Sequence, residues 1–284
     1  MRSPKKNCAP PEGYKSAPPG AVRHPMHKQV IIDCFPESVL KYQKGYAVVA
    51  IDVIRATTSA ITVAARGGRC FPVPSLDAAL ELKRKLPAPL LAGELGGTIA
   101  PGFELNNSPA QLDRRYLTGR AVILLSSSGT RLISLAKRCD TAHLACFRNY
   151  GSVARHLAGH HSRVAVIGAG SRGDFRLEDQ MCCAWVARDL AEMGYGPADE
   201  ATLSLIKNWA TEHPEAALKS KSADYLRRSG QIQDLDFILA HINDLRGGYE
   251  LRSGEVVASP DCETGLAFAP SPTIDSTPQT YHRC

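Results

Sequence analysis

The chain has 284 residues, 44% of them hydrophobic and 22% charged, which is enough to bury a sizeable core and ordinary for a soluble globular protein. Its net charge of +6 is concentrated in residues 1–28, where Arg2, Lys5, Lys6, Lys15, Arg23 and Lys28 face only Glu12; about +1 remains for the rest, which with 6% aromatic residues argues against nucleic-acid binding. No apolar run approaches the roughly 18 residues of a spanning helix, and the basic N-terminus lacks an apolar stretch before a cleavage site, so neither a membrane anchor nor a secretory signal is expected.

Residues 1–28, rich in proline and lysine, read as a disordered tail. Val30–Ile32 is a short strand, and Tyr46–Asp52 is a second. Thr57 to Arg66 is a helix stopped by Gly67-Gly68. Cys70–Val73 is a strand, and Ser75 caps a helix to Lys85. Leu90–Gly93 is strand-like and ends at Glu94; a glycine-rich loop, 95–105, follows. Ser108 is the N-cap of the next helix, with Pro109 at its first position. Then come strand 121–125 with helix 130–138, strand His143–Phe147 with helix Gly151–Leu157, and strand Val164–Gly168 with the long helix Leu177–Met193. Residues 199–243 read as helical throughout, Gly248–Val257 as a hairpin, and 259–284 as a second disordered tail.

Strands alternating with helices through short loops predict an α/β fold. The expected architecture is a three-layer sandwich with a mainly parallel or mixed sheet and a helical C-terminal part. One domain is expected over 29–258, with a split into two subdomains near 194 left open. Nine cysteines form no Cys-x-x-Cys pair, which excludes zinc-ribbon and dithiol spacing. Cys34, Cys70 and Cys146 lie in apolar runs as small buried hydrophobes, and a reducing cytoplasmic setting is expected. A homodimer is left open.

Three strands stop at polar turns that lead into helices, and such loops gather where ligands bind in open α/β sheets. Asp52 ends one and is followed by Arg55, Thr57 and Thr58. An Asp-x-Asp-x-Thr nucleophile motif is absent, because residue 54 is Ile54. Ser127, Ser128, Gly129 and Thr130 start a helix and offer amides and hydroxyls to an anion, but without the Gly-Lys-Ser/Thr of a Walker loop. Glu94 and the Asn107-Ser108 pair bracket the glycine-rich loop, and Glu178 and Asp179 open the long helix. Gly168-x-Gly170-x-x-Gly173 matches the dinucleotide fingerprint, but Asp174–Arg176 separate it from the helix, so a dinucleotide-dependent oxidoreductase is only a distant alternative. His160-His161 read as an exposed loop, and no Ser/His/Asp order or His-x-x-x-His pair is taken as a site.

Together these segments resemble the 2-phosphosulfolactate phosphatase family, magnesium-dependent enzymes of coenzyme M biosynthesis. The resemblance runs from about Val30 to Val257. Its motifs are Ile51-Asp-Val-Ile-Arg-Ala-Thr-Thr58, Gly93-Glu94, Pro101-Gly-Phe-Glu-Leu-Asn-Asn-Ser-Pro109, Ser128-Gly-Thr-Arg131, Ala169-Gly170 and Leu177-Glu-Asp179, with Gly230, Asp234 and Asp236 downstream. It implies site roles for Asp52, Arg55, Glu94, Asn107, Ser108, Glu178 and Asp179. Where the family has arginine, asparagine and glycine, this chain has Leu95, Ser128 and Asn106. Leu95 in place of a cation is expected to alter substrate choice.

The reading is an Mg2+-dependent phosphatase acting on a small phosphate monoester, 2-phosphosulfolactate-like or another phosphorylated biosynthetic intermediate. Asp52, Arg55, Glu94 and Glu178 are the candidate catalytic residues. Thr57, Thr58, Asn107, Ser108 and Ser127–Thr130 would bind phosphate; Asp52, Glu94, Glu178 and Asp179 would hold metal. The alternative of another class is a non-catalytic protein that binds a phosphorylated metabolite.

Overall fold

The computed structural model describes residues 27–171 and 173–259. Apart from His27, Lys28 and Ser259, both expected tails lie outside the described residues. The chain runs through β1 (Gln29–Cys34), a 3-10 turn, β2 (Ala47–Ile51), α1 (Ala56–Ala65), β3 (Arg69–Val73), α2 (Leu76–Lys83), β4 (Leu90–Leu95) and β5 (Thr98–Ile99). There follow α3 (Pro109–Asp113), β6 (Ala121–Leu125), α4 (Gly129–Ala136), β7 (Thr141–Ala145), α5 (Tyr150–His160), β8 (Arg163–Gly168) and α6 (Leu177–Glu192). The last part holds β9 (Gly196–Pro197), α7 (Glu200–Trp209), α8 (Lys221–Arg228), α9 (Ile232–Ala240), β10 (Tyr249–Arg252) and β11 (Glu255–Ala258). No helix among the described residues is long and apolar enough to cross a membrane.

One sheet orders these strands β5-β4-β6-β3-β11-β10-β7-β2-β8-β1-β9. It is two parallel blocks, β4-β6-β3 and β7-β2-β8-β1, joined by the β10–β11 hairpin, which pairs antiparallel with β7 on one side and β3 on the other. The hairpin expected at the chain's end is thus the seam of the sheet, and residues after Gly194 are woven into the same sheet through β9, β10 and β11. Side chains alternate between its faces. Val48 and Ala50 of β2 join α1 and α4 in one core; Ala47, Val49 and Ile51 join α5 and α6 in the other. Both faces being buried explains why β2, β6 and β8 read as unbroken apolar runs. Cys34, Cys70 and Cys146 are buried and unbridged.

Local geometry corrects several boundaries. β7 spans 141–145, two residues earlier than expected, because Asn149 accepts the Cys146 N–H at 2.9 Å and donates to the Leu144 carbonyl at 3.1 Å, folding the chain out of the ladder. The loop after Glu94 is in part a tight hairpin: Glu94 pairs with Ile99 and Leu95 with Thr98. Gly96 and Gly97 turn it at φ of 63° and 93°, a pair of positive angles that favours glycine. His160 ends α5 rather than lying in a loop, and His161 is partly buried. Residues 199–243 are separate helices and turns rather than one helical stretch.

Candidate active site

A cleft of about 450 Å³ opens where β2, β4, β6 and β8 end. Asp52, Glu94, Ser126–Ser128 and Gly170 reach it from those strand ends, Asp179 from α6, and Lys221, Ser222 and Tyr225 from α8, which forms the far wall. The Tyr225 hydroxyl donates to the Gly97 carbonyl at 2.6 Å and so fixes α8 against the glycine hairpin.

The carboxylates of Asp52 and Asp179 line the cleft, and Glu178, next to Asp179 on α6, is buried outside the lining. Asp52, Glu178 and Asp179 are 6%, 1% and 3% exposed. Burial, reinforced by the charges of Glu178 and Glu94, pushes the Asp52 carboxyl up to about 7, against the opposing pull of the Ala56 amide and Arg55. Burial raises Asp179 well above the ordinary carboxylate range, with Asp52 and Glu178 adding to it, although the Val53 N–H donates to its Oδ1 at 2.8 Å. Glu178 is raised by burial too, with Ser222, Ser220 and Arg176 opposing. Its Oε2 is buried without a hydrogen-bond partner among the described residues. Mutually repelling buried acids with an unmet oxygen make an all-oxygen donor set suited to a hard divalent cation. They do not form a closed shell: among the described residues, the only group of three His, Cys, Asp or Glu with ligand atoms within 4.8 Å of one another lies elsewhere. Glu94 is committed differently. Its Oε1 accepts the Ser127 N–H at 2.7 Å; its Oε2 accepts the Gly97 N–H at 2.7 Å and the Ser127 hydroxyl at 3.0 Å. It therefore clamps the 126–128 loop to the hairpin while its charge reaches Asp52.

Three helices begin at the cleft. The N-terminus of α1 is met by Asp52, whose Oδ1 accepts the Ala56 N–H at 3.2 Å, and α6 carries Glu178 and Asp179 in its own first turn. Ser128, which makes no side-chain cap bond to α4, lines the cleft with Ser126 and Ser127, so the turn into α4 is a candidate anion site. The Ser127 amide, expected to bind phosphate, is taken by Glu94, and the Thr130 amide by the Ser126 hydroxyl at 3.0 Å; of the expected amides that leaves Ser128 on the cleft, since Gly129 is buried outside the lining. Gly129 is required here: a Cβ on it would lie 2.1 Å from Asp52 Oδ2. Gly129→Ala should push the Asp52 carboxylate aside and cost about 1–3 kcal/mol in strain. Phosphatase kcat/KM should fall at least about tenfold, beyond what the change in Tm explains; an unaltered kcat/KM would mean that Asp52 need not sit against α4.

Arg55 is held from beneath the cleft. Its Nη1 donates to Asp234 Oδ2 at 2.5 Å and Gln231 Oε1 at 2.6 Å, and its Nη2 donates to Asn106 Oδ1 at 3.0 Å. Asp234 is fully buried and also accepts the Ser108 hydroxyl at 2.5 Å. Ser108 caps α3 as expected, accepting the Gln111 N–H. The expected phosphate ligands Thr57, Thr58, Ser108 and Thr130 do not line the cleft. Thr57 bonds the Asp52 amide and carbonyl, Thr58 the Val53 carbonyl and Thr130 the Ser126 backbone, so they shape the loops. Asn107 does line it, with its Oδ1 buried and without a hydrogen-bond partner among the described residues. Gln231, Arg176, Ser222 and Lys221 went unread in the sequence, since no local motif marks a residue that meets the site only through the tertiary fold. Asp234 carried a signal only in the downstream match. Leu95, expected to alter substrate choice, lies outside the lining, 37% exposed at the end of β4. Gly173, the third glycine of the apparent dinucleotide fingerprint, sits in a turn closed by Ser171 and Asp174, four residues before α6.

The family model described as 2-phosphosulpholactate phosphatase matches residues 34–243, from the end of β1 to just past α9. The chain belongs to that family. A probable 2-phosphosulfolactate phosphatase of Deinococcus radiodurans is 33% identical over 213 residues, 72% of this chain and 86% of the relative. One from Clostridium perfringens is 32% identical, covering 75% and 89%, and one from Carboxydothermus hydrogenoformans 37% identical, covering 56% and 66%. Membership makes the chain a phosphoric monoester hydrolase, and the cleft lies within the matched span.

Proposed function

We propose that this protein hydrolyses 2-phosphosulfolactate or a closely similar small, polyanionic phosphate monoester with the help of Mg2+. The observation that carries the reading is the set of three mutually repelling buried carboxylates, Asp52, Glu178 and Asp179, beside the start of α4, where Ser128 makes no side-chain cap. The donor set fits the ion, and Mg2+ is commonly held by only one or two carboxylates with water and substrate phosphate completing its shell. Asp52, Glu178 and Asp179 would hold it. When bound, it would polarise a phosphoryl oxygen.

The protein's own groups do the rest. The Ser128 amide receives a phosphoryl oxygen, and Asn107 Oδ1 accepts a hydrogen bond from bound water or from the hydroxyl freed by hydrolysis. Glu94 keeps the amide loop in place before substrate arrives, so no reorganisation is needed as charge develops. Arg55, braced by Asp234, presents its remaining N–H groups to the same anion. Lys221, Arg176 and Arg228 line the outer part of the cleft and suit the carboxylate and sulfonate of such a substrate.

Protein stripped with EDTA should release no phosphate from 2-phosphosulfolactate, and Mg2+ or Mn2+ should restore release. Full activity after exhaustive chelation would remove the cation from the mechanism. Turnover of neutral-tailed esters as fast as of 2-phosphosulfolactate would remove the outer cations from substrate recognition.

A further inference from the structure

His143 lies in the middle of β7, 2% exposed, and neither of its ring nitrogens has a hydrogen-bond partner among the described residues. Leaving a buried polar group unmet costs about 1–3 kcal/mol. Its surroundings are chemically selective. Glu250 of β10 is its register partner, so the two side chains stand on the same face of the sheet. His156 of α5 comes down on that face, its ring centroid 5.4 Å from that of His143 and its Nε2 3.3 Å from Glu250 Oε1. The ligand atoms of all three lie within 4.8 Å of one another. None of the three lines the cleft.

We propose that His143, His156 and Glu250 form a second metal site, for a transition-metal ion of the Zn2+ class. Two imidazoles and a carboxylate are a known donor set for that class and a poor one for Mg2+. An ion at the centre of the three needs each ligand to move by less than about 1 Å to reach Zn–N and Zn–O distances of about 2.0–2.2 Å. The carboxylate is already oriented from behind: Arg252 Nε donates to its Oε2 at 2.7 Å and the Ser259 hydroxyl to its Oε1 at 3.0 Å. A plain ion pair would account for His156 and Glu250 but leaves His143 unexplained. His161, with its ring 5.7 Å from that of His143, lies outside the three-ligand group, so water would take the fourth position. His160, exposed at the end of α5, is four residues from His156, with the two ring centroids 4.7 Å apart. The site would pin α5 to the β7–β10 seam of the sheet.

The test uses EDTA-stripped full-length protein in excess Mg2+, which occupies the cleft acids. Titration with Zn2+, and with Co2+ as a spectroscopic probe, should show one ion bound per chain. The Co2+ form should have the visible d–d bands of a four-coordinate nitrogen and oxygen site and no thiolate charge-transfer band. His156→Gln and Glu250→Gln should each weaken uptake at least about tenfold, roughly 1.4 kcal/mol, whereas Asp179→Asn should leave it unchanged. Absence of Zn2+ and Co2+ uptake by the wild type overturns the proposal, as does uptake lost in Asp179→Asn. So does uptake unaltered in a folded His156→Gln or Glu250→Gln variant; if one of these fails to fold, the other and the Co2+ spectrum of the wild type decide.

Discussion

Asp52→Asn should lower kcat for phosphomonoester hydrolysis at least about a hundredfold, roughly 2.7 kcal/mol in barrier. Asparagine keeps the shape and the acceptor that meets the Ala56 N–H at 3.2 Å, so α1 keeps its N-terminal partner. What disappears is the charge that faces Glu178 and the start of α4. The effect on stability runs the other way. Asp52 is raised from the ordinary carboxylate range to about 7 in the folded protein, first by burial and then by Glu178 and Glu94. A carboxyl raised on folding binds its proton more tightly in the native state, so stability declines as pH rises from near 4 through about 7. Above that window the metal-free Asp52→Asn protein should be at least as stable as wild type in urea, while its kcat is lost. An unchanged kcat, or a variant that is simply unfolded at pH 8, would reduce Asp52 to a structural cap.

Asp234→Asn carries the largest expected cost in stability. The Arg55–Asp234 pair is almost sealed from water, with side chains 4% and 0% exposed, and removing one partner leaves an uncompensated buried charge. The expected loss is about 3–5 kcal/mol by urea denaturation. At concentrations where the variant is still folded, kcat/KM should fall as well, because Arg55 loses the anchor that aims it at the cleft. Arg55→Met combined with Asp234→Asn should recover part of the stability lost in Asp234→Asn and none of the activity. That double-mutant cycle separates the ion pair from the catalytic role of the arginine. Strictly additive losses would show that the two side chains do not act as a unit.

The strand-to-helix turns were legible because each follows a short apolar run buried on both sheet faces and ends in glycine, hydroxyl or acid. That is why the ends of β2, β6 and β8 could be placed, and with them Asp52, Ser126–Thr130 and Gly168–Gly170. The seam of the sheet was not legible: β10 and β11 look like any hairpin, and nothing local tells Glu250 that it will stand beside His143, more than a hundred residues earlier. The same distance hid the brace under Arg55, since Asp234 lies 179 positions away. Glu94 was read as a metal ligand because it is an acid at a strand end. Its commitment to the Ser127 and Gly97 amides depends on how the 126–128 loop meets the hairpin, which no spacing encodes. Thr57, Thr58 and Thr130 were read as phosphate ligands because hydroxyls at helix starts suit anions. Hydroxyls there also bond their own backbone, and here they do.

The claim that the cleft acids hold a cation is tested most directly by Mn2+ binding, followed by electron paramagnetic resonance in chelator-stripped protein. One Mn2+ per chain should be displaced by Mg2+, with affinity strengthened by inorganic phosphate, and this Mg2+-sensitive binding should weaken at least about tenfold, roughly 1.4 kcal/mol, in both Asp52→Asn and Asp179→Asn. Mg2+-sensitive Mn2+ binding of equal strength in wild type and both variants, or none in wild type with phosphatase activity intact, would contradict the claim.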